Sequence, residues 1–436
     1  MCLILQYAVK KMTNCIHART VSTPVNMLLC VLGAVLFLLP QGYLTAQGIQ
    51  GRNTDFPKFK THLVDKLRNG YKIGAFDIDQ DGKVDIIGLA TRPPSLVWYK
   101  NPSWEKHALA SQAKEYIDLA PYDIDEDGRT DIAVAHEFGM ARTSSGGLLH
   151  WLKCPPDPTE EWPMYAIGAE PTSHRVQWAD VDGDGRKELV NAPIMGRNAK
   201  GPLWDVGVKL AWYEIPEPPT TEDWKPHIID DQLTVVHGIA IVNWDDDRYD
   251  DILVASFEGI HLYQPQRQKN KISWRKTKLG SGEQIVPEKR GSSEISLGRL
   301  RSLNRRFLAT IEPWHGNNVV VYTPDSGSNK PWWRCTIDTT FNEGHALTCA
   351  DLDGDGDDEI IAGYRGKGYS LFIYRCVDSL GKKWERIGLD EGDMAASGLQ
   401  IADINNDGTL DVICVGTATS NIKWYENLGL VQRGKN

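Results

Sequence analysis

An acidic loop of the form D-x-D-x-D-G-x-x-[DE], set between two short apolar strands, recurs along this chain and constrains its fold more than any other feature. The clearest copy begins at the end of His174-Arg175-Val176-Gln177-Trp178-Ala179 and runs from Asp180 through Asp182 and Asp184 to Glu188. Carboxylates at positions 1, 3, 5 and 9 of a tight turn wrap one hard cation. Glycine at position 6 permits the bend, and a backbone carbonyl at position 7 completes the oxygen shell. The other copies are Asp77-Asp79-Asp81-Asp85, Asp123-Asp125-Asp127-Asp131, Asn243-Asp245-Asp247-Asp251, Asp351-Asp353-Asp355-Glu359 and Asp403-Asn405-Asp407-Asp411. Successive copies start about 46 to 63 residues apart, except for a gap of about 108 between Asn243 and Asp351, which is two periods of an array with one degenerate member. That member is Ile295 to Thr310, which keeps strand, turn and strand but has Gly298-Arg299-Leu300 in place of the acidic ligands. So many copies spread over an array point to structural calcium in the turns rather than to repeated reactive centres.

Each loop leads into an apolar strand and then a closing strand with an aromatic signature. The closures are Val97-Trp98-Tyr99, Leu149-His150-Trp151, Leu210-Ala211-Trp212-Tyr213, His261-Leu262-Tyr263, Val320-Val321-Tyr322, Phe372-Ile373-Tyr374 and Ile422-Lys423-Trp424-Tyr425. A fourth strand begins near Trp104, Trp162, Trp224, Trp274, Trp333 and Trp384, and its counterpart at the amino end is Phe59 to Val64. Four short strands in each of seven repeats predict an all-β, seven-bladed β-propeller of four-stranded antiparallel blades with calcium-binding loops. Phe59 to Val64 then completes the sheet that ends at Trp424-Tyr425, so that no blade edge is left unpaired at the seam. The propeller is expected over residues 55–428, with a polar tail at 429–436.

Hydrophobic residues make up 41% of the chain and charged residues 24%, which suits a packed core. The net charge of −10 argues against nucleic acid as a partner. Met27 to Leu39 is an apolar run preceded by Lys10, Lys11 and Arg19 and followed by Leu44-Thr45-Ala46. It reads as a signal peptide over residues 1–46, so a secreted or periplasmic protein is expected, with no membrane span after its removal. Cys154, Cys335, Cys349, Cys376 and Cys414 remain, an odd number without CxxC spacing, which indicates neither a disulfide framework nor a cysteine zinc site.

The innermost strand of each repeat runs into the acidic loop and the second runs out antiparallel to it. The start of the first and the end of the second therefore meet on the face opposite the loops. First-strand starts supply His174-Arg175, His237 and His345. Second-strand ends supply His136-Glu137, Glu258, His315 beside Trp314, and Arg365 beside Tyr364. Imidazoles, carboxylates and arginines converging on a concave mouth make either a divalent-metal site or an acid/base pocket. The competing reading is a set of structural histidines bonding neighbouring blades. Trp314 and Tyr364 suit stacking on a sugar ring, although an aromatic in a propeller is more often core.

The repeat resembles FG-GAP repeats, as in integrin α-subunit propellers. A narrower resemblance rests on Ser173-His174-Arg175-Val176, Val236-His237-Gly238-Ile239-Ala240, Trp314-His315-Gly316-Asn317 and His345 ahead of Cys349-Ala350-Asp351. Together these resemble the propeller of aldos-2-ulose dehydratases, which eliminate water from keto-sugars such as 1,5-anhydrofructose. The resemblance implies a small carbohydrate substrate, His174 as the proton-transferring residue, and His237, His315 and His345 as pocket lining or ligands of a divalent metal such as zinc. Position at the mouth adds Arg175, His136 and Glu137 as catalytic candidates and Trp314, Tyr364 and Arg365 as substrate contacts. Those dehydratases continue into cupin domains whereas this sequence stops after the seventh repeat, which leaves substrate range and oligomeric contacts open. A carbon–oxygen lyase acting on a keto-sugar is thus the expected function. The alternatives are a non-catalytic propeller that binds a glycan or protein, and elimination at a uronate-containing polysaccharide.

Overall fold

The computed structural model describes residues 56–269, 271–324 and 332–430. The expected signal peptide at 1–46 and residues 431–436 of the tail lie outside these described residues. Within them the apolar runs form seven four-stranded antiparallel sheets. Blades one to seven are numbered here by their innermost strands, Gly70–Phe76, Asp118–Tyr122, Ser173–Ala179, Gly238–Val242, Ile295–Leu300, Gly344–Ala350 and Ala396–Ala402. Second strands such as Asp85–Ala90, Glu188–Pro193 and Asp251–Ser256 are buried along their whole length, which is why they read as nearly unbroken apolar runs. Outer strands such as Phe59–Asp65 keep exposed polar positions on the rim. The innermost strands pack side by side around the axis, the first against the seventh as well as the second.

The seam closes as the sequence predicts. Phe59–Asp65 pairs antiparallel with Asn421–Asn427, with Thr61 opposite Tyr425 and His62 opposite Trp424. The His62 ring stacks on Trp424 at 4.3 Å, and its Nε2 lies 2.7 Å from Glu426 Oε2. The degenerate repeat turns through a short 3-10 segment, Arg301–Leu303. Its backbone is held by side chains of the next blade: Ser302 N donates to Asp357 Oδ1 at 2.8 Å and Arg299 N to Asp358 Oδ2 at 2.7 Å. Protein hydrogen bonds therefore brace the one turn that lacks carboxylates of its own.

A repeated clasp joins successive blades. A tyrosine on a third strand donates to an aspartate on the outer strand of the preceding blade: Tyr99 to Asp65 at 2.8 Å, Tyr374 to Asp338 at 2.7 Å and Tyr425 to Asp390 at 2.8 Å. A cation completes each clasp, Lys106 at Asp65, Arg386 at Asp338 and Lys423 at Asp390. A buried hydroxyl bonded to an ionised carboxylate stabilises by about 1.5–3 kcal/mol. Tyr374→Phe is therefore expected to lower stability by about that amount. Urea unfolding should show a lower midpoint with an unchanged slope, since the surface exposed on unfolding stays the same.

Candidate active site

The site is built from one position repeated around the ring. In blades one, three, six and seven the innermost strand starts with a register shift that leaves Tyr71, His174, His345 and Ser397 outside the ladder. A bulge of this kind re-aims a side chain. The corresponding positions of blades four and five are His237 and Glu294, which directly precede Gly238 and Ile295, and that of blade two is Ile117. His315 enters from the end of the second strand of blade five, with its backbone in the left-handed region at φ 47°.

These residues form one connected cluster. His237 Nε2 lies 2.7 Å from His315 Nε2, and the ring centroids of His174 and His345 lie 4.8 and 5.2 Å from that of His237. The Tyr71 hydroxyl bridges His174 Nε2 at 3.2 Å and His345 Nε2 at 3.0 Å. Arg175 Nη1 lies 3.2 Å from His174 Nε2, and its Nη2 donates to Glu294 Oε1 at 2.9 Å. A second pair, Lys72 with Asp118 at 3.2 Å, flanks the group.

The partners assign protons. His345 Nδ1 faces the Ser397 carbonyl at 2.8 Å, and His237 Nδ1 faces the Glu294 carboxylate at 3.1 Å. The Ser397 carbonyl only accepts, so His345 carries the proton on Nδ1 and presents a bare Nε2; the Glu294 carboxylate favours the same tautomer in His237 through a 3.1 Å contact that is not an aligned hydrogen bond. Tyr71 then donates to His345, while His174 Nε2 lies between the Tyr71 oxygen and the donor-only Arg175 guanidinium, and His174 Nδ1 is a buried atom without a hydrogen-bond partner. Burial, and next the Arg175 charge, hold His174 well below the ordinary imidazole range. Burial likewise lowers His237, His315 and His345, so all four rings are neutral at pH 7. Burial would raise Glu294, but the Arg175 guanidinium and the His237 bond outweigh it and hold the carboxyl at about 2.

Other candidates lie elsewhere. The structure does not bring His136 or Glu137 into the cluster: His136 Nε2 is bonded to His150 Nδ1 at 2.9 Å, and the chain kinks at Glu137 with φ 51°. Phe138 is the residue of that segment whose ring lies beside His174, at 5.5 Å. Tyr364 packs against Phe341 and Phe372 in the apolar layer of blades five and six, so it is core rather than a sugar platform. Trp314 stacks on His315 at 4.9 Å and Arg365 Nη2 lies 3.4 Å from His315 Nδ1, so these two do border the site. Glu258 caps Thr234 and pairs with Arg290. The expected open mouth is closed by side chains, with His174, His237 and His345 no more than 1% exposed. A cleft of about 710 Å³ lies between blades three and four instead, lined by Trp212, His227, Arg267 and Lys271 among others and sharing no residue with the cluster. Tyr71, Glu294 and the Ser397 carbonyl escaped the histidine-based reading, yet they occupy the strand-start position that reading used.

His237, His315 and His345 bring their ring nitrogens within 4.8 Å of one another, as do the carboxylates of Asp77, Asp79 and Asp85, of Asp123, Asp125 and Asp127, of Asp180, Asp182 and Asp184, and of Asp351, Asp353 and Asp355. In all six loops the ninth-position carboxylate accepts the backbone N–H of the second loop residue, Ile78, Ile124, Val181, Trp244, Leu352 or Ile404. Burial, and in part the neighbouring carboxylates, push Asp131 up to about 7, Glu188 to about 8 and Glu359 to about 9. Lys100 and Lys153 reach into the first two loops to pair with Asp79 and Asp125.

Comparison with known proteins bears on this geometry. Residues 146–325, which carry His174, His237 and His315, match the family described as the aldos-2-ulose dehydratase β-propeller domain. The resemblance read from the histidine segments is shown. Residues 77–134 and 351–414 match FG-GAP-like repeats. Over 350 residues the chain is 25% identical to the aldos-2-ulose dehydratase of Phanerodontia chrysosporium, an alignment covering 73% of this chain and 37% of that protein. This chain therefore spans about a third of that relative's length. A chain of the crystal structure of BBS1N in complex with ARL6DN superposes with a TM-score of 0.51 at 13% identity, covering 88% of this chain and 98% of that one, and shows the fold alone.

The His136–His150 pair gives a pH test. Burial, and next the His150 ring, hold His136 at about 3, against 6.5 for a free imidazole. The unfolded chain therefore binds a proton below pH 6.5 that the folded chain refuses, so stability falls as pH drops through that range and is unaffected above it. His136→Gln is expected to flatten the loss of melting temperature between about pH 6.5 and 4.5. Parallel melts of wild type and variant across that range measure it.

Proposed function

We propose that this chain is a carbon–oxygen lyase that eliminates water or an alkoxide from a keto-sugar, with the central histidine cluster as its reactive centre. The observation that carries the reading is the meeting of His174, His237, His315 and His345, from three strand starts and one strand end, the first three of them within a segment similar to a dehydratase propeller. Elimination next to a carbonyl needs a base for the α-proton and an electrophile for the enolate. His174 is that base. Its neutral ring takes the α-proton, and burial with the nearby Arg175 charge keeps it unprotonated before reaction. The imidazolium so formed returns that proton to the departing hydroxide, which leaves as water, and a conjugated enone remains. Trp314, His315 and Arg365, with Glu294, are partly exposed members of the site, so substrate approaches from their side.

The three ring nitrogens of His237, His315 and His345 fit a zinc-like ion, because Glu294 and Ser397 already hold two of the rings with Nε2 bare. Such an ion, when bound, polarises the substrate carbonyl. The acidic loops are read as calcium seats, since crowded carboxylates with raised pKa are relieved by a cation. Export, inferred from residues 1–46, belongs to the same reading. The near-complete burial of the cluster favours one rival, a non-catalytic propeller in which the histidines plug the axis and a glycan or protein binds elsewhere.

Incubation with 1,5-anhydrofructose and other keto-sugars, followed by ultraviolet absorbance of the enone, separates the two. Wild type is expected to turn over, and His174→Ala to lose about 10²- to 10⁴-fold of the rate, the range for a positioned acid/base group. Absence of turnover by wild type on every keto-sugar supports the binding reading instead. Chelation of calcium is expected to lower the melting temperature, because a site held at about 100 times its dissociation constant contributes about 2.7 kcal/mol. An unchanged melt in chelator contradicts the calcium assignment.

A further inference from the structure

Blade five, whose acidic loop has degenerated, places a carboxylate where blades three, four and six place a histidine. Glu294 Oε1 is shared between His237 Nδ1 at 3.1 Å and Arg175 Nη2 at 2.9 Å, and the side chain is 15% exposed. Resting on the proposed metal at His237, His315 and His345, we infer that Glu294 is the positioning residue of that seat. It fixes the His237 proton on Nδ1, aims Nε2 as a ligand, and holds Arg175 beside His174. Metal-ligating histidines use their second ring N–H for this kind of contact with a carboxylate or a backbone carbonyl. The Ser397 carbonyl does the same for His345 at 2.8 Å. His315 differs, because its Nδ1 faces the Arg365 guanidinium, which only donates. Of the three rings, His237 is therefore the one whose Nδ1 faces a side-chain carboxylate.

A carboxylate that merely neutralises Arg175 predicts something else, a loss of fold stability with no change in how tightly folded protein binds metal. Affinity for zinc and cobalt(II), measured on the full chain by competition with a chromophoric chelator, tells these apart. Glu294→Gln is expected to weaken binding about 10- to 100-fold, the usual effect of removing such a partner. Arg175→Met, which keeps the His237 contact, should leave affinity undiminished. The double variant Arg175→Met Glu294→Gln relieves the unpaired guanidinium and keeps the test open if Glu294→Gln alone fails to fold; it should bind as weakly as Glu294→Gln. The bound cobalt absorption band should shift in both variants that lack Glu294. Binding by Glu294→Gln, or by the double variant, as tight as wild type overturns this inference alone. Wild type that binds neither ion overturns the metal reading on which it rests.

Discussion

Closure of the ring by Phe59–Asp65 against Asn421–Asn427 is the contact on which the rest of the structure depends. An open array of seven sheets would present unpaired edges at both ends and no shared axis. Closed, it places blade one against blade seven. Tyr71 then meets His345 across 274 positions of sequence, and Thr417 Oγ1 donates to the Gly70 carbonyl across 347. The clasp from Tyr99 to Asp65 lies on the same seam, so one strand pairing and one buried hydroxyl hold both the rim and the centre. The central cluster has no local determinant of its own. Tyr71, His174, Arg175, His237, Glu294 and His345 each have a partner two blades away.

That geometry carries an energetic cost. Four neutral imidazoles, an arginine and a glutamate are packed together about the propeller axis, and burying polar groups stabilises only when each finds a partner. Most here do, through Tyr71, Glu294, Ser397 and the His237–His315 contact. His174 Nδ1 does not. His237 Nδ1, 3.1 Å from the Glu294 carboxylate, is likewise without an aligned hydrogen bond, so the open atom of His174 is one of two ring nitrogens in the cluster that lack one. Outside the cluster, buried Glu312 is bonded by Ser292, Tyr322 and Arg334, whereas His136 Nδ1 and His261 Nδ1 are buried without a hydrogen-bond partner.

The fold was legible because each repeat carries its own signals: apolar second strands, an acidic turn, and an aromatic closure such as Val97-Trp98-Tyr99. Even the degenerate repeat announced itself through spacing. The site was half legible. His174, His237 and His345 were found because a strand start has a definite place in a propeller, and His315 and Arg365 because a strand end does. Tyr71 and Glu294 share that place but carry no histidine to draw attention, and the Ser397 contribution is a backbone carbonyl that no residue type signals. His136 was drawn in by position alone, whereas the kink at Glu137 and the ring of His150 keep it within its own blade. Tyr364 shows the reverse error, an aromatic near the site taken up by Phe341 and Phe372 in the core.

In the proposed arrangement the buried rings divide into a three-histidine metal seat and a separate base. Elemental analysis of protein purified without chelators, compared across wild type, His174→Ala and His237→Ala, tests it most directly. One transition-metal equivalent per chain in wild type and in His174→Ala, lost in His237→Ala, is the predicted result. Equal transition-metal content in all three proteins, or none in any, contradicts it.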